Sequence, residues 1–153
     1  MCFHVEDFQN IIYVNDTTID SLINSKIKSD DAANINFRIE SRISSFDSFD
    51  KTDLCILIGN LLDNAIEAAN KTAEKYIKIT FDEMPGLINI LISNTSNEVS
   101  EKLSTSKENV YAHGFGIKSI KEIVKKYNGA FSYCYEKGIF RVSILLCNSK
   151  ING

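Results

Sequence analysis

The sequence has few of the residues that build metal centres and disulfide frameworks, and it contains no long apolar run. Its two histidines and four cysteines show no paired metal-ligand spacing, which argues against a structural zinc site. Cys55 and Cys147 lie in apolar runs, so we expect reduced thiols in the core of a cytosolic protein. No apolar run approaches the roughly eighteen residues that a bilayer requires, and the N-terminus has no basic region followed by an apolar one. We therefore expect the chain as given to be soluble.

A strong charge of either sign is also missing. The formal net charge of -3 over 153 residues gives no electrostatic reason to expect binding to nucleic acid or to a membrane surface. The rest of the composition, 44% hydrophobic and 24% charged, is typical of a globular protein rather than a disordered one. At this length we expect one main domain that buries about two-thirds of its unfolded surface.

The first thirty residues show helical spacing of apolar residues only in part. Ile19, Leu22 and Ile23 recur at helical intervals, which predicts a helix from Thr18 to Lys28. The apolar face of this helix could pack on the rest of the domain or on a second copy of itself. We treat residues 1–30 as an N-terminal helical segment and residues 31–153 as the main domain.

The segment Leu54–Ala69 predicts an amphipathic helix with an unusual polar stripe. Its apolar residues fall on one broad face, and the opposite face carries Asn60, Asp63, Asn64, Glu67 and Lys71. Asparagine is about 0.5 kcal/mol less favourable than alanine inside a helix, so two of them one turn apart require an explanation. One explanation is a solvated face. The other is that the amide oxygens face a polar cleft and hold hydrated Mg²⁺, a cation that prefers oxygen ligands and keeps several waters.

Strand patterns surround this helix and determine the predicted fold class. Alternating or β-branched segments predict five strands, at Ile35–Ile43, Tyr76–Phe81, Leu87–Ser93, Ala130–Tyr135 and Ile139–Leu146. The last four form two hairpins, because each pair is joined by a short turn. The sequence therefore predicts an α+β, two-layer sandwich, with one mixed and mainly antiparallel sheet and its helices on a single face.

A polar connection of nineteen residues, Thr95–His113, separates the two hairpins. Long connections inside compact domains are usually functional lids or disordered segments. This one runs into His113-Gly114-Phe115-Gly116, after which the apolar spacing predicts a helix that ends near Tyr127. A glycine turn at a helix start exposes backbone N–H groups at the positive end of the helix dipole, which favours anions.

Glycines before a helix are a weak signal on their own, and a plain loop would explain them. The lid and the asparagine pair at Asn60 and Asn64 occur in the same chain, however. Together these features favour a nucleoside triphosphate site, with Mg²⁺ at Asn64, the phosphates at the glycines and the lid above them.

Two motifs resemble a known superfamily. The segment Asn60–Ala68 resembles the N box of the GHKL superfamily of gyrases, heat-shock chaperones, histidine kinases and mismatch-repair ATPases, and His113–Ile120 resembles its second glycine box. The run Asp20–Lys26, the strand end at Asn94 and the segment Ser104–Lys107 are similar to sensor histidine kinases of the accessory-gene-regulator (peptide quorum-sensing) type.

This resemblance implies a Bergerat ATP-binding fold with an ATP lid, and it implies ATP and Mg²⁺ as cofactors. Asn64 would be the Mg²⁺ ligand and Asn60 would lie close to the phosphates, so both count as catalytic. The other residues implied to contact the nucleotide are Asn94, Lys107, His113, Gly114, Phe115, Gly116 and Ile117. Lys107 is equally well explained as a solvated lid lysine, and His113 either contacts phosphate or fixes the lid.

Asn94 departs from the superfamily pattern. Most members carry an aspartate at this place, which binds the adenine amine and is followed by glycines that this chain lacks. The oxygen of an asparagine side chain can also accept from the adenine amine, but as a neutral acceptor it should bind less strongly. The threonine that commonly holds adenine on the last hairpin is replaced by Ile139 or its neighbour.

The resemblance implies the catalytic domain of a sensor histidine kinase, which donates the γ-phosphate of ATP to a histidine on a dimerisation domain. His4 is a weak candidate for that histidine, because Glu6–Asn10 resembles the acceptor motif with glutamate in the histidine position. We therefore expect residues before Ile19 to be the stub of a dimerisation helix, and the acceptor histidine to be absent.

The implied partners are a histidine-containing dimerisation domain and a response regulator, with a possible homodimer through the N-terminal helix. We expect a cytosolic part of a membrane-anchored sensor, with no direct membrane contact by this segment. Three alternatives stay open: an ATPase, a Ser/Thr kinase of the same superfamily, and a non-catalytic nucleotide-binding or protein-interaction module. The ATPases carry a glutamate one turn before the metal asparagine, where this chain has Asn60.

Overall fold

The computed structural model describes residues 14–97 and 115–148, which form a five-stranded sheet with helices packed on it. The elements in chain order are α1 (Thr17–Ile27), a short 3-10 helix (Asp30–Ala32), β1 (Asn36–Arg42), α2 (Lys51–Asn70), β2 (Tyr76–Met84), β3 (Leu87–Thr95), α3 (Phe115–Lys126), β4 (Ala130–Glu136) and β5 (Ile139–Cys147). The predicted helices and strands all occur, with ends within three residues of the predicted ones. The lid predicted at Thr95–His113 lies almost wholly outside the described residues.

The sheet has the strand order β1-β2-β3-β5-β4. β1 pairs with β2 in parallel, and the three other pairs are antiparallel. This arrangement confirms the predicted α+β fold with a mixed, mainly antiparallel sheet. In the register of the central strands, Asn94 of β3 lies between Ile77 of β2 and Phe140 of β5.

The core lies between α2 and the strand residues that face it. The predicted apolar stripe of α2 is buried throughout its length, at Leu54, Leu57, Ile58, Leu61, Leu62, Ala65 and Ala69. Alternate residues of β2 and β3 are buried as well, which is the period-two pattern of a sheet with one covered face. The helix begins at Lys51 and is capped by Asp50, whose side chain accepts a hydrogen bond from the Asp53 amide at 3.0 Å.

Helix α1 packs on α2, which is the first of the two arrangements that the sequence left open. Ile19 and Ile23 are fully buried, and Asp16 caps the helix while pairing with Lys51 of α2. Asn15 has a positive φ of 67°, and its side-chain amide donates to the carbonyl of Ser44 at 3.1 Å. These contacts attach α1 to the main domain. The assignment of residues 1–30 to a dimerisation remnant stays a prediction, and His4 and Glu6–Asn10 lie outside the described residues.

The cysteines differ in detail from the expectation. Cys55 and Cys147 are free thiols, but both are only partly buried rather than enclosed in the core. Burial nevertheless raises the pKa of the Cys55 thiol, and the nearby Asp16 carboxylate adds to that effect. Within residues 14–97 and 115–148, no helix is both long and apolar enough to span a membrane.

Candidate functional site

The polar stripe of α2 meets the first turn of α3. A Cβ atom added to Gly116 would lie 3.7 Å from Oδ1 of Asn60, so the glycine backbone and the asparagine side chain are neighbours. At the opposite end of this helix pair, the Asp53 side chain near the start of α2 accepts hydrogen bonds from Lys126 and Tyr127 at the end of α3. The two helices therefore run antiparallel, and the fold brings Asn60 beside Gly116 at the start of α3.

Asn64 lies one turn further along α2 than Asn60 and shares its face. Both side chains are partly exposed, and in the part of the chain that the structure describes neither has a hydrogen-bond partner. Two amide oxygens are thus free to accept a ligand. One neutral oxygen from the protein suits Mg²⁺, because that ion completes its octahedral shell with waters and phosphate oxygens. The donor set at this face fits the proposed metal.

The acidic residues of the same stripe are engaged elsewhere. Asp63 accepts a bond from Lys26 of α1 at 2.7 Å, which directs its carboxylate away from α3. Glu67 lies 3.7 Å from Lys71, one turn further along the helix. Asp63 is therefore a surface residue, and among the described residues the amides of Asn60 and Asn64 are the polar groups of the stripe without a hydrogen-bond partner.

The first turn of α3 differs electrostatically from those of the other two helices. Helix α1 has Asp16 as its N-cap and Asp20 in its first turn, and α2 has Asp50 as its N-cap and Asp53 in its first turn. Helix α3 has no acidic residue in its first turn. Its free N–H groups and its dipole are therefore not neutralised by a carboxylate of that turn, which favours an external anion. Gly116 and Ile117 belong to this turn, whereas Lys107, His113 and Gly114 lie outside the described residues, as does the side chain of Phe115.

Asn94 is the buried polar residue at the end of the core-facing row of β3. It is 3% exposed, and no other polar or charged residue in the described ranges is buried. Its side-chain nitrogen donates to the carbonyl of Thr95 at 2.9 Å, which leaves Oδ1 as the acceptor. The end of β3 is tied to the end of α2, because the hydroxyls of Thr72 and Thr95 are 3.0 Å apart. The acceptor oxygen of Asn94 is thereby held near the C-terminal end of α2.

An aromatic residue borders Asn94 in the sheet. Phe140 is the direct cross-strand neighbour of Asn94, whereas Ile139 pairs with Thr95. The replacement of the adenine-side threonine by Ile139 or its neighbour stays a prediction, and Phe140 is the residue that pairs directly with Asn94. Its ring packs against Tyr133 of β4 with centroids 5.8 Å apart. The alternation of β5 could have identified it, because Phe140 shares the parity of the buried Val142 and Ile144.

The contacts at the far end of α3 were missed by the sequence reasoning. Asp53 accepts a bond from Nζ of Lys126 at 2.6 Å and from the hydroxyl of Tyr127 at 2.7 Å, and the Asp50 amide donates to that hydroxyl at 3.0 Å. Lys118, Lys121 and Lys125 are exposed, and Lys126 is engaged in this network. No local pattern links residues so far apart in the sequence, so only the structure reveals the network.

Comparison with solved structures places the fold among histidine kinase catalytic domains. One nucleotide-free form of the catalytic domain of histidine kinase ThkA has a TM-score of 0.63 and 23% identity, covering 84% of this chain and 87% of that one. The mycobacterial sensor histidine kinase MprB gives 0.66 at 16% identity, covering 85% and 93%. Histidine kinase AdeS of Acinetobacter baumannii gives 0.66 at 12% identity, covering 86% and 64%. At these identities the likeness establishes the fold alone.

Comparison at the level of sequence establishes the family. None of the curated proteins matches the chain. The family described as GHKL domain matches residues 49–147, which is more than half of the chain. The matched range contains α2, the sheet from β2 onwards and α3, so it includes every residue of the site described above. The chain belongs to the GHKL domain family.

Proposed function

We propose that this domain binds Mg·ATP and presents the γ-phosphate to a histidine on a separate dimerisation domain, as the catalytic domain of a sensor histidine kinase. The observation that carries the proposal is the 3.7 Å approach between Asn60 and the Cβ position of Gly116, since it brings one residue of the asparagine pair beside one glycine of the predicted phosphate turn. Membership of the GHKL family supports ATP as the nucleotide, and the likeness to histidine kinase catalytic domains supports the reaction.

The chain contributes positioning and charge compensation. Asn64 would hold Mg²⁺, Asn60 would contact the phosphates, and the backbone N–H groups of Phe115, Gly116 and Ile117 would face the phosphate oxygens. When bound, the metal neutralises phosphate charge during transfer. The nucleophile is an imidazole nitrogen of the partner, which needs no strong base here. We also assign Lys107, His113 and Gly114 to the phosphate side, as the motif resemblance implies.

Asn94 would select the base. Its nitrogen is committed to the Thr95 carbonyl, so the group that faces a ligand is an acceptor oxygen. The exocyclic amine of adenine can donate to that oxygen, whereas the corresponding guanine oxygen cannot. Because the acceptor is neutral and its neighbour is the Phe140 ring rather than a hydroxyl, we expect weaker adenine binding than an aspartate would give.

The finer assignment rests on the motif resemblance. The segments Asp20–Lys26 and Ser104–Lys107 support a kinase of the accessory-gene-regulator type, working with a dimerisation domain and a response regulator as the cytosolic part of a membrane-anchored sensor. In this proposal residues 1–30 include the end of a dimerisation helix, and the acceptor histidine belongs to another chain or segment. An ATPase is disfavoured because Asn60 occupies the place of the water-orienting glutamate.

Nucleotide titration tests the proposal. A non-hydrolysable ATP analogue is titrated into wild-type protein and Asn64→Ala, with and without Mg²⁺, and binding is followed by calorimetry. We expect wild-type affinity in the micromolar range that Mg²⁺ strengthens, and we expect Asn64→Ala to lose the Mg²⁺ effect. Asp63→Ala is the matched control on the same helix, because its carboxylate is paired with Lys26. Binding that ignores both the metal and Asn64→Ala would contradict the metal assignment.

Phosphotransfer tests the kinase assignment separately. Labelled ATP is supplied with the domain and a dimerisation domain of the same kinase type, and acid-labile phosphate is measured on the latter. We expect transfer by the wild type and none by Asn64→Ala. Well-bound nucleotide without any transfer would favour the non-catalytic module, an alternative that the missing glycines after Asn94 keep open.

A further inference from the structure

Helices α2 and α3 contact each other at two places beyond the apolar core. At one end Gly116 approaches Asn60, which is the phosphate side of the proposed site. At the other end Asp53, Lys126 and Tyr127 form a hydrogen-bonded cluster, which we call the α2–α3 clamp. Between the two, Ile120, Ile123 and Val124 pack into the core.

The clamp has the features of a geometric constraint rather than of a surface ion pair. Tyr127 is 8% exposed, and its hydroxyl donates to Asp53 while accepting from the Asp50 amide at 3.0 Å. Its ring packs against Phe49, with centroids 5.2 Å apart. The hydroxyl therefore has one donor and one acceptor partner in fixed directions at the start of α2. Lys126 adds a charge-assisted bond to the same carboxylate.

Apolar packing alone tolerates sliding of one helix along another better than directed hydrogen bonds do. Ile120, Ile123 and Val124 can fill similar space after a small shift, whereas the Tyr127 hydroxyl loses both partners. A shift of α3 along its axis changes the distance from its first-turn N–H groups to Asn60 and Asn64 by the same amount. Phosphate binding between these groups depends on that distance, since hydrogen bonds weaken outside a narrow range.

We infer that Asp53 and Tyr127 are positioning residues for the phosphate half of the site, because the clamp fixes the axial position of α3 against α2. This inference rests on the proposed function for its nucleotide readout. It assigns no role to the clamp in binding the base, because Asn94 lies on β3 and is held through Thr95.

The test compares two ligands. Wild type, Tyr127→Phe and Asp53→Asn are titrated with a Mg²⁺-bound ATP analogue and with adenosine, which has no phosphate. Tyr127→Phe removes both hydrogen bonds of the hydroxyl, and Asp53→Asn removes the charge that Lys126 pairs with. Either variant should weaken the analogue about tenfold, while adenosine affinity changes by less than about twofold. A general loss of folding would weaken both ligands together.

The matched control is Asp16→Asn. Asp16 and Asp53 are both aspartates paired with a lysine of a neighbouring helix, but Asp16 joins α1 to α2, and within the described residues its side-chain hydrogen bonds are with Thr18, Ile19 and Lys51. We expect this variant to lower thermal stability without changing the ratio of the two affinities. The inference would be overturned if Asp16→Asn lost as much affinity for the ATP analogue as the clamp variants do. It would also be overturned if the clamp variants lost as much affinity for adenosine as for the analogue.

A ligand-free measurement separates this inference from the proposed function. In the apo protein, Tyr127→Phe should shift the amide resonance of Gly116 and the side-chain amide resonances of Asn60, and Asp16→Asn should not. If these resonances move but the wild type binds no ATP analogue, the proposed function fails and the positioning role stands. If they do not move, the clamp does not set the position of α3, whatever the nucleotide results.

Discussion

Asp53 illustrates how one carboxylate links burial, charge and stability. The hydrogen bond from Lys126 is the main reason that the pKa of Asp53 is below its ordinary value of 3.8, and the Tyr127 hydroxyl lowers it further, against the opposing effect of burial. The same contact raises the pKa of Lys126, while burial and the bond to Asp53 raise the pKa of Tyr127. All three shifts favour the charge states found at neutral pH, with Asp53 ionised, Lys126 protonated and Tyr127 neutral.

The stability of the protein at low pH should depend on the ionisation of the Asp53 carboxylate. Because the pKa of Asp53 is depressed in the folded state, its contribution to stability is present above pH 3.8, the ordinary value, and is lost as the pH falls through the lower folded pKa. We expect Asp53→Asn to be about 1 kcal/mol less stable than wild type at pH 7, since Lys126 is largely exposed and solvent screens the pair. Urea unfolding at several pH values should show that difference shrinking below pH 3.8. A difference that is constant with pH would contradict the assignment.

At the residue level, the sequence identifies candidate residues where the signal is local. Asn60 and Asn64 stand out because they break the composition of an otherwise apolar helix, and the glycines stand out because they precede a helix. Tyr127 carries no such signal, since it continues the apolar pattern of α3 and its hydroxyl partners are on α2. Its role depends on tertiary proximity, which one sequence does not reveal.

At the level of elements, replacing two different glycines by alanine should change the free energy of unfolding in opposite directions. Gly59 lies within α2, and apart from the helix backbone around it a Cβ atom there would meet no described atom within 4 Å, so Gly59→Ala adds helix propensity without a clash. Gly129 follows α3, and a Cβ atom there would lie 1.9 Å from the carbonyl oxygen of Leu145. We expect Gly59→Ala to raise the free energy of unfolding by about 0.5–1 kcal/mol. Gly129→Ala should lower the free energy of unfolding by about 1–3 kcal/mol, the range found for overpacked cores.

Urea unfolding of the two variants beside wild type measures both effects. The pair controls for the chemistry of the change, because each variant adds one methyl group to a glycine. A stabilised Gly129→Ala, or a Gly59→Ala that is destabilised by more than the error of the method, would show that the packing around these positions differs from that described.

The element boundaries show which physical cues the sequence contains. Helix α2 begins at Lys51, three residues before the first apolar residue of the stripe, because the Asp50 cap starts a polar first turn that apolar spacing does not reveal. Strand β2 continues to Met84, because pairing with β3 extends through the polar residues Asp82 and Glu83 to the turn. Periodicity identifies the buried part of an element, and hydrogen bonding determines where it ends.

At the scale of the whole molecule, the sheet order explains why the site is where it is. Pairing of β3 with β5 rather than β4 places the second hairpin beside the first with β5 innermost, and Asn94 then faces Phe140. Helix α3 immediately precedes this hairpin in the chain, and it lies along α2 on the covered face of the sheet. The pairs β2–β3 and β4–β5 could be predicted from short turns, whereas the β3–β5 and β1–β2 neighbours have no local signal in the chain.

The burial of α1 leads to a prediction about the extent of the folding unit. Val14, Ile19 and Ile23 are completely buried and belong to the same core cluster as Leu54 and the strand residues. Each fully buried side chain of this kind contributes about 1.5–3 kcal/mol, and typical domains have about 5–15 kcal/mol of net stability. Loss of these three side chains would therefore remove a large part of the total.

Two shortened chains test this extent, one beginning at Val14 and one beginning at Asp31. We expect the chain from Val14 to keep most of the stability, since it retains the contacts of Asp16 and Asn15 with the main domain. The chain from Asp31 exposes the surface of α2 that α1 covers, and we expect a much lower urea midpoint or no cooperative transition. Far-UV circular dichroism during urea titration distinguishes these outcomes. Equal midpoints would mean that α1 adds nothing to the core, and that residues 31–153 fold independently despite the burial of Ile19 and Ile23.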